Sequence, residues 1–164
     1  MVKFDYQIIE ILYDYIPDIY DKTIDTSILE LEIDYRKKAN EIIYQIDNLK
    51  EKAGDYKRRK ISNDHINSKI KSLQNTYNLY MTWGALQVFY KNNINKIDYN
   101  ILDLHGLYQK EAAAILYICI KYLNLKNLNI ITGRGKGIIY NITQSILKEF
   151  SIKYKINNNT IITI

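Results

Sequence analysis

Cysteine, proline and tryptophan each occur once in these 164 residues, histidine twice and glycine six times. A single cysteine, Cys119, excludes an internal disulfide and fits a reducing compartment. One cysteine and two histidines also cannot assemble a Cys/His set at zinc-ligand spacing. No apolar run approaches the ~20 residues of a membrane span. The opening Met1-Val2-Lys3-Phe4-Asp5 lacks the basic start and small-residue cleavage site of a secretory signal. The expected setting is therefore intracellular, cytoplasmic or nuclear, with no membrane partner. There is no Gly-x-x-x-x-Gly-Lys-Ser/Thr loop of the kind that cradles nucleoside triphosphates. Cys119 stands among Ile115, Leu116, Ile120 and Leu123, the surroundings of a packed thiol rather than a nucleophile.

Isoleucine, asparagine, lysine and tyrosine are plentiful, with 16 tyrosines. All four have A/T-rich codons, so the tyrosine count alone does not indicate a base-stacking surface. Charge is more informative than its net value of +5. Residues 1–35 hold two basic against nine acidic side chains, residues 36–96 thirteen against five, and residues 97–164 eight against four. An acidic head thus precedes a basic body, with a basic run at Lys57-Arg58-Arg59-Lys60. This asymmetry suits a polyanionic partner, most simply nucleic acid, although a solvated helix surface accounts for it equally well.

Apolar spacing divides the chain into three segments. Residues 1–34 read as a short acidic helical arm, with Phe4, Ile8, Ile11/Leu12, Tyr15 and Ile16 at helical spacing. Pro17 ends that helix or opens the next, since it cannot donate to an ongoing ladder. Such an arm could take a protein partner. Residues 35–96 read as a basic helical hairpin. One stripe runs Ala39, Ile42/Ile43, Ile46, Leu49 and Ala53 and stops near Gly54; the other runs from Ile66 to Phe89. Residues 97–164 read as β-α-β-α-β-β. Strands are expected at 101–104, 128–132, 152–156 and 160–164, and helices at 111–123 and 137–150. Ile138, Ile142, Ile146/Leu147 and Phe150 are assigned inward on the second helix. Ile152, Tyr154 and Ile156 are assigned to one face of the third strand. Asn157-Asn158-Asn159 supplies a turn.

Two stretches carry the chemistry: Asp103-Leu104-His105-Gly106 and Thr132-Gly133-Arg134-Gly135-Lys136-Gly137. Each directly follows an expected strand, and a helix lies between them. A βαβ crossover brings the carboxyl ends of its two parallel strands to one sheet edge, where ligands of open α/β sheets bind. Asp103 and His105 project to the same side. The carboxylate can orient the imidazole for proton transfer near neutral pH, or it can simply cap the following turn. Gly106 permits a tight turn. Gly133, Gly135 and Gly137, with Thr132 at the loop's start, leave backbone N–H groups open at a helix N-terminus, which favours phosphate. Arg134 and Lys136 add a bidentate fork and a point charge. His65, in the basic segment with no acidic or histidine neighbour at ligand spacing, is read as structural.

The stretch Ile101-Leu-Asp-Leu-His-Gly-Leu-Tyr-Gln-Lys-Glu-Ala112 resembles the first motif of the Smr (small MutS-related) domain family. Ile130-Ile-Thr-Gly-Arg-Gly135 resembles its second motif, and Thr160-Ile-Ile-Thr-Ile164 its closing strand. Tyr35-Arg-Lys-Lys-Ala39, Lys52-Ala-Gly-Asp55 and Val88-Phe-Tyr-Lys-Asn-Asn93 resemble the helical extension that often precedes eukaryotic-type members. The resemblance implies a two-layer α/β sandwich similar to the C-terminal domain of a bacterial translation initiation factor. It further implies endonuclease activity on RNA or DNA, with Asp103, His105 and Arg134 as catalytic residues. Many members carry histidine-serine where this chain has Gly137-Ile138.

The favoured expectation is cleavage of RNA, needing no cofactor, with a divalent metal left open. DNA nicking and non-catalytic binding of structured RNA, branched DNA or ribosomes are the alternatives.

Overall fold

The computed structural model describes residues 1–158 and 160–164. Asn159, the last position of the expected asparagine turn, lies outside the described residues. The helices are α1 (Tyr6–Tyr13), α2 (Ile16–Tyr20), α3 (Tyr35–Arg58), α4 (Asp64–Asn93), α5 (Gln109–Lys121) and α6 (Ile138–Glu149). The strands are β1 (Ile101–Asp103), β2 (Asn129–Ile131), β3 (Tyr154–Asn157) and β4 (Thr160–Thr163). Short 3-10 turns occupy Thr26–Leu29 and Ile97–Tyr99.

The strands form one mixed sheet in the order β1-β2-β4-β3. β1 and β2 run parallel with Asp103 opposite Ile131, whereas β4 is antiparallel to both β2 and β3. Parallel neighbours need a crossover, and α5 supplies it. Leu102, Leu104, Ile130 and Ile161 from the sheet are buried, as are Ala112, Ile115, Leu116, Cys119, Ile146 and Leu147 from α5 and α6. The result is the expected two-layer α/β architecture, β-α-β-α-β-β, preceded by a helical region.

One inward assignment fails, and one residue of the third strand's shared face is open to solvent. Ile138 is 49% exposed because it is the first residue of α6, directly after the glycine loop. Ile156 is 52% exposed because β3 is an edge strand with a single neighbour.

The chain divides into two compact units, one of residues 1–29 with 85–164 and the other of residues 30–84. This differs from the three consecutive segments expected, and the reason lies in the apolar faces of the head. Ile9 and Leu12 of α1, Ile16 and Ile19 of α2, and Leu29 are all buried. Pro17 falls in the first turn of α2, where its missing N–H costs nothing. α1 packs along α5. Phe4 stacks against Tyr117 at 4.7 Å between ring centroids, and Tyr13 against Tyr122 at 4.6 Å. The Cys119 thiol donates to the Tyr20 hydroxyl at 3.8 Å. Burial pushes that thiol up to about 12 and raises Tyr20 as well, so Cys119 is the inert, packed sulfur expected. Residues 1–29 therefore spend their apolar side on the sheet-bearing unit.

In the second unit, the Asp34 carboxylate caps α3 by accepting from the Lys37 N–H at 3.0 Å. α3 does not stop near Gly54 but continues to Arg58. An interior glycine costs only ~1 kcal/mol relative to alanine, and Lys57 and Arg58 suit the negative end of the helix dipole. Tyr35 meets Trp83 at 6.1 Å, and Tyr56 meets His65 at 6.3 Å. Those pairings fix the antiparallel return of the chain within this unit. Among the described residues, no helix is long and apolar enough to cross a membrane.

Candidate active site

β1 ends at Asp103, and the next three residues turn sharply. The Asp103 side chain is 2% exposed. Its Oδ1 accepts from the His105 backbone N–H at 3.1 Å and lies 2.6 Å from His105 Nδ1. Both readings of Asp103 hold at once, since one oxygen caps the turn and orients the ring. An ionised carboxylate can only accept, so Nδ1 carries the proton and Nε2 is left as acceptor or, once protonated, donor. The imidazole is 52% exposed, which keeps it open to solvent. Burial pushes the Asp103 carboxyl upward. The Lys96 ammonium and the two His105 hydrogen bonds outweigh that, leaving it below the usual carboxylate range.

In the sequence Asn92 and Asn93 appear only within the stretch 88–93 that resembles the helical extension, and nothing marks them or Lys96 as site residues. Lys96 Nζ donates to Asp103 Oδ2. The Asn93 side chain is fully buried and makes a two-point pairing with β1. Its Oδ1 accepts from Asp103 N–H at 2.7 Å, and its Nδ2 donates to Asp103 C=O at 2.9 Å. Nδ2 also donates to Phe89 C=O at 2.9 Å. The amide thus does for the open edge of β1 what a neighbouring strand would do. Asn92 Nδ2 donates to His105 C=O at 2.8 Å. The last turn of α4 consequently holds the Asp-Leu-His segment from one side. A usable signal is present: Asn92 and Asn93 are poor interior helix residues, and Asn93 stands ten residues before Asp103.

The second loop closes against the first. Leu104 N–H donates to Ile131 C=O at 2.8 Å, extending the parallel pairing past the strand ends. Gly133 comes next with φ of +80°, and a Cβ there would lie 3.2 Å from His105 Cβ. Any other residue would be strained in its backbone and would press on His105. Thr132 is buried, and its Oγ1 has no hydrogen-bond partner among the described residues. Arg134, Gly135 and Lys136 are exposed, with Arg134 one residue from the contact with His105. Gly137, with φ of +75°, is the N-cap of α6. Asp103 is thus bonded to His105, Gly133 packs beside the Cα and Cβ of His105, and Thr132, Arg134, Gly135, Lys136 and Gly137 belong to the loop that contains Gly133. Gly106, with φ of +77°, makes the turn after His105. Lys57, Arg58, Arg59 and Lys60 are exposed in the other compact unit, where Arg58 pairs with Asp55.

The sequence is similar to a protein of Saccharomyces cerevisiae, 36% identical over 100 residues. That relative is named Endonuclease NBR9. The match takes in 57% of this chain and 41% of the yeast protein, so the chain spans less than half of its relative. No protein-family model and no solved structure matches the sequence.

Among the described residues, no group of three or more His, Cys, Asp or Glu side chains could hold a metal ion. Asp103 Oδ1 already accepts two hydrogen bonds and Oδ2 is held by Lys96. The arrangement can move a proton at a half-exposed imidazole beside a loop of open amides and cations.

Proposed function

We propose that this chain is an endonuclease of the Smr type and that it cleaves RNA. His105 transfers the proton, Asp103 orients its ring, and Arg134 with the amides of Gly133, Gly135 and Gly137 holds the scissile phosphate. Thr132, Lys136 and Gly106 complete the substrate contacts. One observation supports this reading above the others: His105, bonded to Asp103 at 2.6 Å, has its Cα and Cβ packed beside Gly133 of the glycine loop. Proton transfer beside neutralised phosphate oxygens is what phosphodiester cleavage requires. The yeast relative's name points the same way.

The exposed run Lys57–Lys60 favours a second reading, a module that binds structured RNA or branched DNA without cutting it. Phosphate contacts of that kind weaken steeply with salt. The acidic N-terminal helices are a surface for a protein partner, and ribosomes fall within the polyanionic class that the basic segment suits.

A matched set of substrates separates these readings. A structured RNA, its DNA copy, and the RNA carrying one 2′-deoxy sugar at the cut site are incubated with the protein, with and without chelator. The RNA is expected to be cut and the DNA left intact. Nicking of the DNA at the same rate overturns the RNA assignment. Tight, salt-sensitive binding with every strand unbroken leaves only the binding module.

A further inference from the structure

Lys96 stands in the turn after α4, where its own N–H donates to Asn93 C=O at 2.8 Å. The same turn that clamps the backbone of β1 through Asn93 therefore delivers an ammonium to the Asp103 carboxylate. That carboxylate is 2% exposed, whereas the Lys96 side chain is 38% exposed. The two oxygens have divided duties. Oδ1 serves His105 through both the backbone N–H and the ring, and Oδ2 serves Lys96.

The terminal torsion of an aspartate is broad and roughly two-fold, so nothing in the side chain itself selects one orientation. A cation on one oxygen removes that freedom, because turning the carboxylate would move a buried negative charge away from its counter-charge. We propose that Lys96 is a positioning residue for His105, acting through Asp103. It fixes the plane of the carboxylate, and the carboxylate fixes the orientation of the imidazole. Lys96 touches neither the reacting atoms nor the phosphate. This role rests on the Smr-type reading for its effect on cleavage, but the orientation of the ring exists whether or not RNA is cut.

Lys96→Met removes the charge at similar length, and Lys96→Arg restores it with a different head group. Both are made in the full chain. The first readout is the NMR signal of the His105 Nδ1–H, which a short bond to carboxylate holds downfield and protects from exchange. The second is single-turnover cleavage of structured RNA at saturation, with affinity measured separately. In Lys96→Met the Nδ1–H signal is lost to exchange. Cleavage slows by about 10- to 100-fold, a part of the ~10²–10⁴-fold that positioned acid–base catalysis supplies, and Kd stays within about twofold. Lys96→Arg recovers both the signal and most of the rate. Lys96→Gln, which can still donate but carries no charge, replaces the methionine variant if that one does not fold; a parent-like signal and rate in it would overturn the proposal. So would an unchanged Nδ1–H signal in Lys96→Met, or a loss confined to affinity, which would make Lys96 a phosphate contact. Should the parent cut no RNA at all, the nuclease reading fails, while the Nδ1–H signal still decides the positioning role.

Discussion

Replacing His105 by alanine is expected to lower RNA cleavage by at least ~10²-fold at saturating substrate, within the range that acid–base catalysis contributes. Affinity for uncut RNA should stay within about twofold, since the proposed phosphate contacts are Arg134 and the loop amides. The fold should survive the change. His105 is 52% exposed, so its removal opens no buried cavity. Asp103 keeps Lys96 on Oδ2 and the residue-105 backbone N–H on Oδ1, so the buried carboxylate is not left unpaired. Single-turnover rates, with thermal melts of both proteins, check the expectation. A variant that cuts at more than a tenth of the parental rate removes His105 from the mechanism. A variant that melts far below the parent would make the residue structural instead.

The second large effect is on stability and involves no charged group. Asn93→Leu keeps the branching and the number of heavy atoms, with bulkier methyl ends, but removes all three hydrogen bonds of a fully buried amide. Phe89 C=O retains its place in the ladder of α4. The N–H and C=O of Asp103 do not fare as well: they face the open edge of β1, away from β2. Each buried backbone group left unpaired costs about 1–3 kcal/mol, so a loss of roughly 3 kcal/mol is expected. For a chain of this size, each kcal/mol shifts Tm by about 2–4 °C. Calorimetry should therefore place the variant about 6–12 °C below the parent. A shift under about 2 °C would mean that Asn93 does not hold β1, and that the Asp-Leu-His segment owes its geometry to the sheet alone.

Much of this is legible in the chain itself, for identifiable reasons. The β-α-β-α-β-β order comes from apolar runs punctuated by the two glycine-bearing loops. Parallel pairing of β1 and β2 comes from a helix lying between two short strands. Parallel pairing in turn brings His105 and Gly133 to one edge although 27 intervening residues separate them. Less legible is whatever depends on contacts between distant segments. Lys96, Asn93 and Asn92 act on Asp103 and His105 by side-chain geometry, and no periodicity encodes a single buried amide. The acidic head reads as a separate arm because its charge differs so sharply from that of the basic body. Its apolar stripe is visible in the sequence, but not that α5, some hundred residues later, receives it. Gly54 shows the weakness of a local stop signal. One glycine does not end a helix whose last turn carries the lysine and arginine favoured there. Ile138 and Ile156 show that a periodic pattern tells which side a residue occupies, not whether an element's end or a sheet's edge leaves that side uncovered.

The central claim is that a phosphodiester binds where the imidazole of His105 and the glycine loop meet. Titration of the isotopically labelled protein with a 2′-deoxy dinucleoside phosphate, monitored by NMR at the His105 ring and at the amides of Gly133, Gly135 and Gly137, tests it most directly. All four signals should shift together along one saturable isotherm. Movement of the glycine amides with a stationary imidazole would contradict the claim.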